Sequence, residues 1–468
     1  MINVYFPISK SKVMEFLTFN IFKVFLGLDY INHPSDVIKN IVITKDDSYN
    51  ELACRSNSII EAEPLSLLSY EFLNMPIEII KSCNNVPDIL NTFQPVMKGN
   101  TIRFNNHVIE TDIDVFGLIF FMLSRVEELD RSKLDSHGRF AATSSKAYQH
   151  GFLERPIVDE YVEFLWCLMK YLWPELERKE NHPEIIVGCD VDIPYDCSTK
   201  SLKKIIRSSA GDILKRKSFT LPITRLIRYL KYKIDNEVSL IYDKNYTFDW
   251  YMDVVEKAGL KATFFFIADG TDGKSGCYDI NEKIIKSLIS NIIERGHNIG
   301  LHGSYDSYND FEMMFFQKLK LEQVIRSLGF SNSIELSRQH YLRWDVNVTP
   351  DYLNEIGIKI DYSGGYADHS GFRYGTGKLF NSFSLTKNSI IDLKIQPLII
   401  MEGSIFGYQK KPYNLSTRNY MEELKNKSLE YGNFSLLWHN SHFYKKKDKE
   451  FFLFLIQKNL IGLLTSGY

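Results

Sequence analysis

Short apolar runs alternate with amphipathic segments along the chain from residue 184 onward. This alternation predicts strands that are each followed by a helix, an order that favours parallel pairing and right-handed crossovers. The predicted strands cover residues 184–188, 261–267, 298–302, 334–338, 358–362, 398–402 and 434–439. The predicted helices cover residues 247–258, 281–294, 311–327, 350–356, 420–431 and 449–463. Repeated strand–helix units over this length favour a (β/α) barrel, complete or distorted, over a short open sheet.

The first 180 residues have a different and more mixed pattern. Residues 40–44 form a β-like run, whereas residues 113–129 and 158–173 have helical patterns, and Pro174 falls just past the second one. We therefore expect a smaller α+β domain over residues 1–180, of unknown role, before an α/β domain over residues 184–468.

One basic segment interrupts the rhythm of the second domain. Residues 198–236 contain eleven Lys or Arg and only two Asp. The simpler interpretation is a solvated helical insertion whose charge balances the acidic remainder of the chain. The alternative is a lid, or a docking face for an anionic glycan or a lipid headgroup.

Composition narrows the class of protein. The chain is 44% hydrophobic and 24% charged, and 56 Lys and Arg against 58 Asp and Glu leave a formal charge of -2. This balance predicts no general attraction to nucleic acid. The strongest apolar runs, residues 116–123 and 451–456, are too short to cross a bilayer. The N-terminus lacks the pattern of a secretory signal, and the six cysteines form no C-x-x-C pair, so we expect a cytoplasmic protein without disulfide staples.

The candidate chemistry lies at strand ends, where a parallel barrel carries its active site. Asp190 and Asp192 come at the end of strand 184–188, and at this spacing both carboxylates can point to one side. One can then bind a metal while the other acts as a base. Alternatively, the pair only caps the following turn.

The strand at residues 298–302 ends in a second candidate pair. His302 is its last residue and Asp306 follows four residues later, a combination of imidazole and carboxylate that suits Zn²⁺ or another first-row ion. A histidine that is only hydrogen-bonded in the core is about as plausible for His302 taken alone. Farther along, Arg338 can hold a carboxylate in a bidentate fork, and His439 ends an apolar strand where a general acid would fit.

Taken together, these residues follow a recognisable order: Asp-x-Asp, Gly-His-x-Ile-Gly-x-His, Arg, Asp-Tyr-Ser-x-Gly-Tyr and a strand-end His. This order resembles the polysaccharide deacetylases, the NodB-homology carbohydrate esterases, over residues 184–442. The segment at residues 261–266 is similar to a strand of that family. Residues 120–128 and 155–158 look like a region that precedes such domains in some bacterial proteins.

The resemblance implies a distorted (β/α) barrel and hydrolysis of an N-acetyl group on a sugar or glycan, in surface polysaccharide metabolism. It assigns Asp190 as the catalytic base, Arg338 as the residue that orients it, and His439 as the acid that protonates the leaving amine. It assigns Asp192 and His302 as metal ligands. A divalent cation, Zn²⁺, Mn²⁺ or Fe²⁺, would polarise the carbonyl and activate a water.

The chain departs from the family pattern at the metal site. Val191 separates two aspartates that are usually adjacent, and Asp306 stands where the family has its second metal histidine. We therefore expect Asp192, His302 and Asp306 as the ligand set. One alternative is a glycan-binding or scaffolding protein that retains the barrel and has lost the metal. A glycoside hydrolase ranks lower, because two aspartates at i and i+2 do not easily straddle a sugar ring.

Overall fold

The structure is a computed structural model. It describes residues 1–45, 59–62, 72, 76–81, 93–105, 107–214, 217–235, 238–240, 243–270, 274–331, 333–443 and 445–457. The strands are β1 (Ile2–Pro7), β2 (Tyr30–Ser35), β3 (Ile41–Thr44), β4 (Ile59–Ala62), β5 (Glu78–Lys81), β6 (Thr101–Asn105), β7 (Val108–Thr111), β8 (Ile185–Val191), β9 (Ala262–Ile267), β10 (Asn298–Gly303), β11 (Leu336–Gln339), β12 (Ile360–Gly364), β13 (Phe380–Ser384), β14 (Ser389–Pro397), β15 (Ile400–Met401) and β16 (Phe434–Leu437). The α-helices are α1 (Ser11–Thr18), α2 (Val115–Ser124), α3 (Lys146–Gln149), α4 (Ile157–Leu172), α5 (Leu202–Leu214), α6 (Thr220–Asp235), α7 (Phe248–Lys257), α8 (Lys283–Glu294), α9 (Phe311–Ser327), α10 (Thr349–Glu355), α11 (Leu415–Tyr431) and α12 (Lys446–Ile456).

The chain forms two compact units. The first comprises residues 1–184, 342–400 and 423–434. Its seven-stranded sheet has the order β2-β1-β3-β4-β7-β6-β5 and mixes parallel and antiparallel neighbours. The predicted mixture of strands and helices in residues 1–180 is therefore present, and α4 ends just before Pro174, as its pattern indicates.

The first unit also includes a segment that the sequence placed in the barrel. Helices α1 and α2 pack against the antiparallel pair β13 and β14, which the regular strand–helix pattern did not predict. The ring of Phe383 lies 5.1 Å from that of Phe16 and 5.3 Å from that of Phe120. Asn20 and Asn381 exchange hydrogen bonds of 2.9 and 3.2 Å. These buried contacts explain why residues 342–400 belong with the N-terminal residues.

The second unit comprises residues 185–341, 401–422 and 435–468. Its strands follow the order β11-β10-β9-β8-β16-β15, and β8, β9, β10 and β11 are parallel. All six residues of β9 are buried, as expected for a parallel strand covered on both faces. The parallel α/β architecture is confirmed, whereas closure into a full (β/α) barrel stays a prediction.

The predicted elements agree well with the observed ones. Each of the seven predicted strands corresponds to an observed strand, in chain order β8, β9, β10, β11, β12, β15 and β16. The six predicted helices correspond to α7 through α12. Helix α11 begins five residues earlier than predicted, and the predicted end of α12 falls outside the described residues. Among the described helices, none combines the length and the hydropathy needed to cross a membrane.

The basic insertion is helical, as predicted, and contains α5 and α6. The expectation of no disulfide is wrong, because the structure joins Cys197 to Cys277 with their Cα atoms 6.0 Å apart. Cys197 precedes α5, and Cys277 lies between β9 and α8. The fold brings the two together across 80 residues of sequence, a proximity that cysteine spacing alone does not reveal.

Candidate active site

The parallel strands of the second unit bring their carboxyl ends to one edge of the sheet. Asp190 in β8 is level with Phe265 in β9, and His302 in β10 is level with Arg338 in β11. Asp192 lies just past the end of β8. The sheet register therefore gathers the polar residues that the sequence singled out, even though they are far apart along the chain.

Arg338 holds the carboxylate of Asp190. Its Nη1 atom lies 2.8 Å from Oδ1 of Asp190, and both side chains are buried. The guanidinium also lies over the ring of Phe265, 4.5 Å from its centre. A glycine is required beside it, because a Cβ atom at Gly188 would lie only 2.7 Å from Arg338 Nη1. These contacts fix the orientation of the Asp190 carboxylate, which is shielded from solvent.

A carboxylate and two imidazoles converge next to this pair. Oδ1 of Asp192 lies 3.2 Å from Nε2 of His302, and Oδ2 lies 3.5 Å from Nε2 of His340. One ligand atom from each of the three residues can be chosen such that all lie within 4.8 Å of one another. One carboxylate and two imidazoles, with a position left open, is a donor set typical of catalytic zinc and related ions.

The hydrogen bonds of His302 test whether a cation fits this group. Its Nδ1 atom lies 2.8 Å from the carbonyl oxygen of Arg338, so Nδ1 carries the proton and donates it. Burial acts to lower the pKa of His302, but the charges of Asp190 and Asp192 outweigh burial and raise it, so a positive charge is favoured between the ring and the aspartates. A bound cation would supply that charge to the neutral ring, whose Nε2 is then an acceptor that faces the acceptor oxygen of Asp192. Neither Nε2 of His302 nor Oδ1 of Asp192 has a hydrogen-bond partner, although both atoms are buried. A divalent cation between them would satisfy both atoms, so the residues fit a metal.

Asp306 lies outside this ligand group. Its side chain is exposed, and it precedes the short 3₁₀ turn at Ser307–Asn309. His340 instead completes the group, directly after the end of β11. The backbone turns sharply at the next residue, Tyr341, whose φ of 62° is uncommon outside glycine. The rings of His340 and Tyr341 make an edge contact at 4.6 Å.

A second cluster of acidic and imidazole groups adjoins the first. Oε1 of the buried Glu402 lies 2.5 Å from Nδ1 of His439 and 2.8 Å from Nδ1 of His442. The opposite nitrogen of His439, Nε2, lies 3.5 Å from Oδ2 of Asp192. Glu402, His439 and His442 could also hold a metal by spacing alone. However, the Nδ1 atoms of both histidines already contact the same oxygen of Glu402. This arrangement is typical of a carboxylate that orients imidazole rings by hydrogen bonds.

The charges of this cluster change its protonation. Burial alone would lower the pKa of His439, but Glu402 and then the aspartates outweigh burial and raise that pKa to about 10. Burial likewise acts to raise the pKa of Glu402, and the attraction of His439 and His442 holds it well below its usual value. His439 is therefore an imidazolium beside an ionised Glu402, which gives the site a proton donor.

A cavity of about 700 Å³ adjoins the cluster at His442. Four cationic side chains line its wall: Lys204, Arg207, Arg225 and Lys244. Asp196 also lines it and forms an ion pair with Arg225. The opening beside the imidazoles is thus more basic than acidic, which favours a negatively charged ligand.

The structure brings together five of the six residues singled out by the sequence: Asp190, Asp192, His302, Arg338 and His439. Three further residues belong to the site although the sequence assigned them no role: His340, Glu402 and His442. Their position offered a usable signal, because His340 and Glu402 each follow a strand end. His297 is buried just before β10, and its Nδ1 accepts from the backbone N–H of Ala262, so it has a structural contact outside the site.

Comparisons with known proteins give limited similarity. A family model described as a family of unknown function (DUF7033) matches residues 2–174, a span that ends shortly before the predicted boundary at residue 180. No curated protein is similar enough in sequence to count as a relative of this chain.

Several solved structures resemble the chain at low sequence identity. A protein assigned to the polysaccharide deacetylases, from Mycobacterium smegmatis, has 12% identity and a TM-score of 0.35, over 62% of this chain and 90% of its own. A 4-alpha-glucanotransferase from Thermococcus litoralis has the same identity and TM-score, over 60% of this chain and 38% of its own. A family 4 carbohydrate esterase from Streptomyces lividans, in complex with acetate, has 10% identity and a TM-score of 0.27, over 59% of this chain and 88% of its own. The functional interpretation therefore depends on the side chains of this protein.

Proposed function

We propose that this chain is a metal-dependent hydrolase that removes an N-acetyl group from a sugar or glycan. One arrangement of side chains carries the proposal. Buried atoms of Asp192 and His302 face each other without hydrogen bonds, and His340 lies beside them. Asp190, oriented by Arg338, and His439, oriented by Glu402, flank this group as base and acid. Hydrolysis of an amide requires these parts, namely an electrophilic centre, a base for water and an acid for the departing nitrogen.

The metal would be held by Asp192, His302 and His340. When bound, a divalent cation supplies Lewis acidity, which polarises an acetyl carbonyl and lowers the pKa of water. The ligand set suits Zn²⁺, Mn²⁺ or Fe²⁺. In this proposal His340 takes the role that the sequence assigned to Asp306.

The remaining residues move protons. Asp190, oriented by Arg338, accepts a proton from the water that adds to the acetyl carbon. His439, oriented by Glu402, donates a proton to the amide nitrogen as the carbon–nitrogen bond breaks. The products are acetate and a free amine on the sugar. Both residues lie close to the proposed metal ligands. Oδ2 of Asp190 is 3.6 Å from Nε2 of His302, and Nε2 of His439 is 3.5 Å from Oδ2 of Asp192.

The basic cavity beside His442 supports an anionic substrate. Lys204, Arg207 and Lys244 would bind a carboxylate or a phosphate on the sugar while the N-acetyl group lies at the metal ligands. N-acetylated sugars with acidic groups occur in surface polysaccharides, so we place the reaction in surface polysaccharide metabolism.

Metal content measured by mass spectrometry tests the proposal first. Wild-type protein purified without chelators should hold about one first-row ion per chain, and a His302→Ala variant should hold almost none. The metal-loaded protein should release acetate from an N-acetylated sugar, and Asp190→Asn should abolish release while retaining the metal. A wild type that binds neither Zn²⁺, Mn²⁺ nor Fe²⁺ would contradict the proposal and favour a glycan-binding or scaffolding protein.

A further inference from the structure

The two helices of the basic insertion expose an unusual amount of apolar surface. Ten of the 23 exposed large apolar side chains in the described residues lie here, with exposed fractions between 41% and 80%. They are Leu202, Ile206, Ile213, Leu214, Phe219, Ile223, Leu226, Ile227, Leu230 and Ile234. Scattered exposed apolar residues are normal on a soluble protein, but a concentration of this kind in one short segment marks an interaction surface.

On α6 these side chains form one continuous stripe. Ile223, Ile227, Leu230 and Ile234 are spaced at i, i+4, i+7 and i+11, so they lie on the same face of the helix. The stripe faces away from the protein, since Ile223 is 60% exposed and Ile234 is 80% exposed. An amphipathic helix of a globular protein normally buries this face. Helix α6 instead exposes its apolar face and buries Arg225 and Arg228 on the opposite side.

Buried ion pairs hold α6 in this orientation. Arg228 donates from Nη1 to Oδ2 of Asp243 at 2.5 Å and from Nη2 to Oδ2 of Asp196 at 3.1 Å. Arg225 donates from Nε to Oδ2 of Asp212 at 2.6 Å. Both arginines are almost completely buried. Rotating the helix to bury its apolar stripe would leave these carboxylates without their partners, and a buried charge without a partner is strongly destabilising.

Helix α5 has the same division of faces. Leu202, Ile206 and Ile213 are exposed and share one side of the helix, at i, i+4 and i+11. Residues from the other side, Lys204 and Gly211 among them, line the basic cavity beside His442. The exposed apolar side of α5 is therefore separate from the face that adjoins the candidate active site.

Cationic side chains border both apolar stripes. Lys231 and Lys233 are exposed and project, by helical spacing, to the two sides of the α6 stripe. Lys203 is exposed at one side of the α5 stripe. The insertion carries eleven Lys or Arg against two Asp, although the whole chain has a formal charge of -2. Apolar side chains bordered by lysines match a surface that is apolar beneath and anionic at its boundary, which describes a bilayer of anionic lipids.

We propose that α5 and α6 bind the surface of an anionic membrane. The apolar stripes insert at the boundary between headgroups and acyl chains, and Lys203, Lys231 and Lys233 contact the lipid phosphates. The proposal goes beyond the hydrolase activity, and it would place the candidate active site of the same unit near a membrane surface. It needs no helix that crosses the bilayer.

Vesicle sedimentation of the full-length protein tests this proposal. The probes are vesicles of phosphatidylcholine alone and vesicles of phosphatidylcholine mixed with phosphatidylglycerol. The stripe variant is Ile223→Ser with Ile227→Ser and Leu230→Ser, three exposed positions whose change should leave the fold intact. Its matched control is Phe316→Ser with Leu415→Ser, two exposed apolar residues outside the insertion. Thermal unfolding of each variant confirms that the fold is retained.

The wild type and the control should sediment with the mixed vesicles, and the stripe variant should bind about tenfold more weakly. Binding should also weaken with added salt and with Lys231→Gln plus Lys233→Gln. Equal sedimentation of the wild type and the stripe variant, or none with the mixed vesicles, would overturn the proposal. A wild-type dimer in solution that the stripe variant converts to a monomer would also overturn it, in favour of contact between two copies. No sugar or metal is involved, so the result is independent of the proposed hydrolase activity.

Discussion

Glu402 orients His439 through a contact of 2.5 Å between its Oε1 oxygen and the ring Nδ1 atom. The carboxylate is buried, and its charge favours the protonated ring, whose other nitrogen points toward Asp192. Carboxylate–imidazole pairs of this kind fix both the orientation and the protonation of a catalytic histidine. Glu402 is thus a positioning residue for the proposed acid.

Glu402→Gln should lower kcat for deacetylation by about 10²-fold and leave KM nearly unchanged, because general acid catalysis contributes about 10²- to 10⁴-fold. Metal content should stay at the wild-type level, since Glu402 is not among the proposed ligands. His439→Ala is the reference, because the same loss in the single and double variants would show that the two residues act as one unit. A loss of metal in Glu402→Gln would instead assign Glu402 to a metal site.

Arg338→Met should destabilise the second unit by about 3–5 kcal/mol, because it leaves the buried carboxylate of Asp190 without its cation. Chemical denaturation measures the change. Lys446→Met, which removes one partner of the exposed pair Lys446–Glu450 in the same unit, is the control and should cost about 1 kcal/mol or less.

The double variant Asp190→Asn with Arg338→Met should recover much of that stability, since no unpaired buried charge remains. It should stay inactive, because the base is absent. Recovery of activity along with stability would show that Asp190 has a structural role only.

His340→Ala should weaken metal binding by about 10²-fold or more, because it removes one of three ligands. Asp306→Ala should bind metal like the wild type, since Asp306 is exposed and lies outside the ligand group. Titration with Zn²⁺ in competition with a chelator measures both. Weaker metal binding in Asp306→Ala, with wild-type binding in His340→Ala, would restore Asp192, His302 and Asp306 as the ligand set.

Lys204→Gln with Arg207→Gln should raise KM about tenfold for an N-acetylated sugar that carries a carboxylate or phosphate, which corresponds to about 1.4 kcal/mol of lost binding. KM for the neutral N-acetylated sugar should hardly change. Lys203→Gln is the matched control, because Lys203 lies on the same helix but does not line the cavity. Equal effects on both sugars would exclude a role of the cavity in recognising charge.

The regular part of the fold could be predicted because strand and helix periodicity are local properties. Strand β9 is apolar except for Thr263, and helix α8 buries Ile285, Leu288, Ile289 and Ile292 at the helical period, so their positions could be predicted within a few residues. The β13–β14 pair escaped prediction because Phe383 and Asn381 pack against α1 and α2, more than 250 residues away in sequence. Long-range contacts of this kind leave little trace in local pattern.

The candidate site could be predicted in part for a similar reason. Asp190, His302 and Arg338 are each the next-to-last residue of their strand, and parallel pairing is enough to place them at one edge. The position of His340 after a strand makes it a candidate, but its place in the ligand group instead of Asp306 could not be predicted, because that choice depends on the direction of two turns after β10 and β11. The sequence also could not predict that α6 exposes its apolar face, since the acidic partners of Arg225 and Arg228 lie outside that helix.

The first unit contains a buried charge cluster that predicts how stability changes with pH. Arg373 donates to Glu128 from Nε at 2.9 Å and from Nη2 at 2.6 Å, and Arg125 donates from Nε at 2.9 Å. Burial tends to raise the pKa of Glu128, but the two arginines outweigh burial, so the pKa is below its usual value.

The contribution of Glu128 to stability should therefore be fully present above the pKa of an unfolded glutamate, about 4.3, and be lost as the pH falls through the lower folded value. Unfolding of the wild type in denaturant should require less denaturant at pH 3 than at pH 6. Glu128→Gln should already be destabilised at pH 6, by about 3–5 kcal/mol, because two buried arginines lose their shared carboxylate, and its stability should change less with acid. Glu177→Gln, at an exposed position in the same unit, should behave like the wild type. An equal acid sensitivity in Glu128→Gln and the wild type would show that other carboxylates dominate the acid unfolding of this unit.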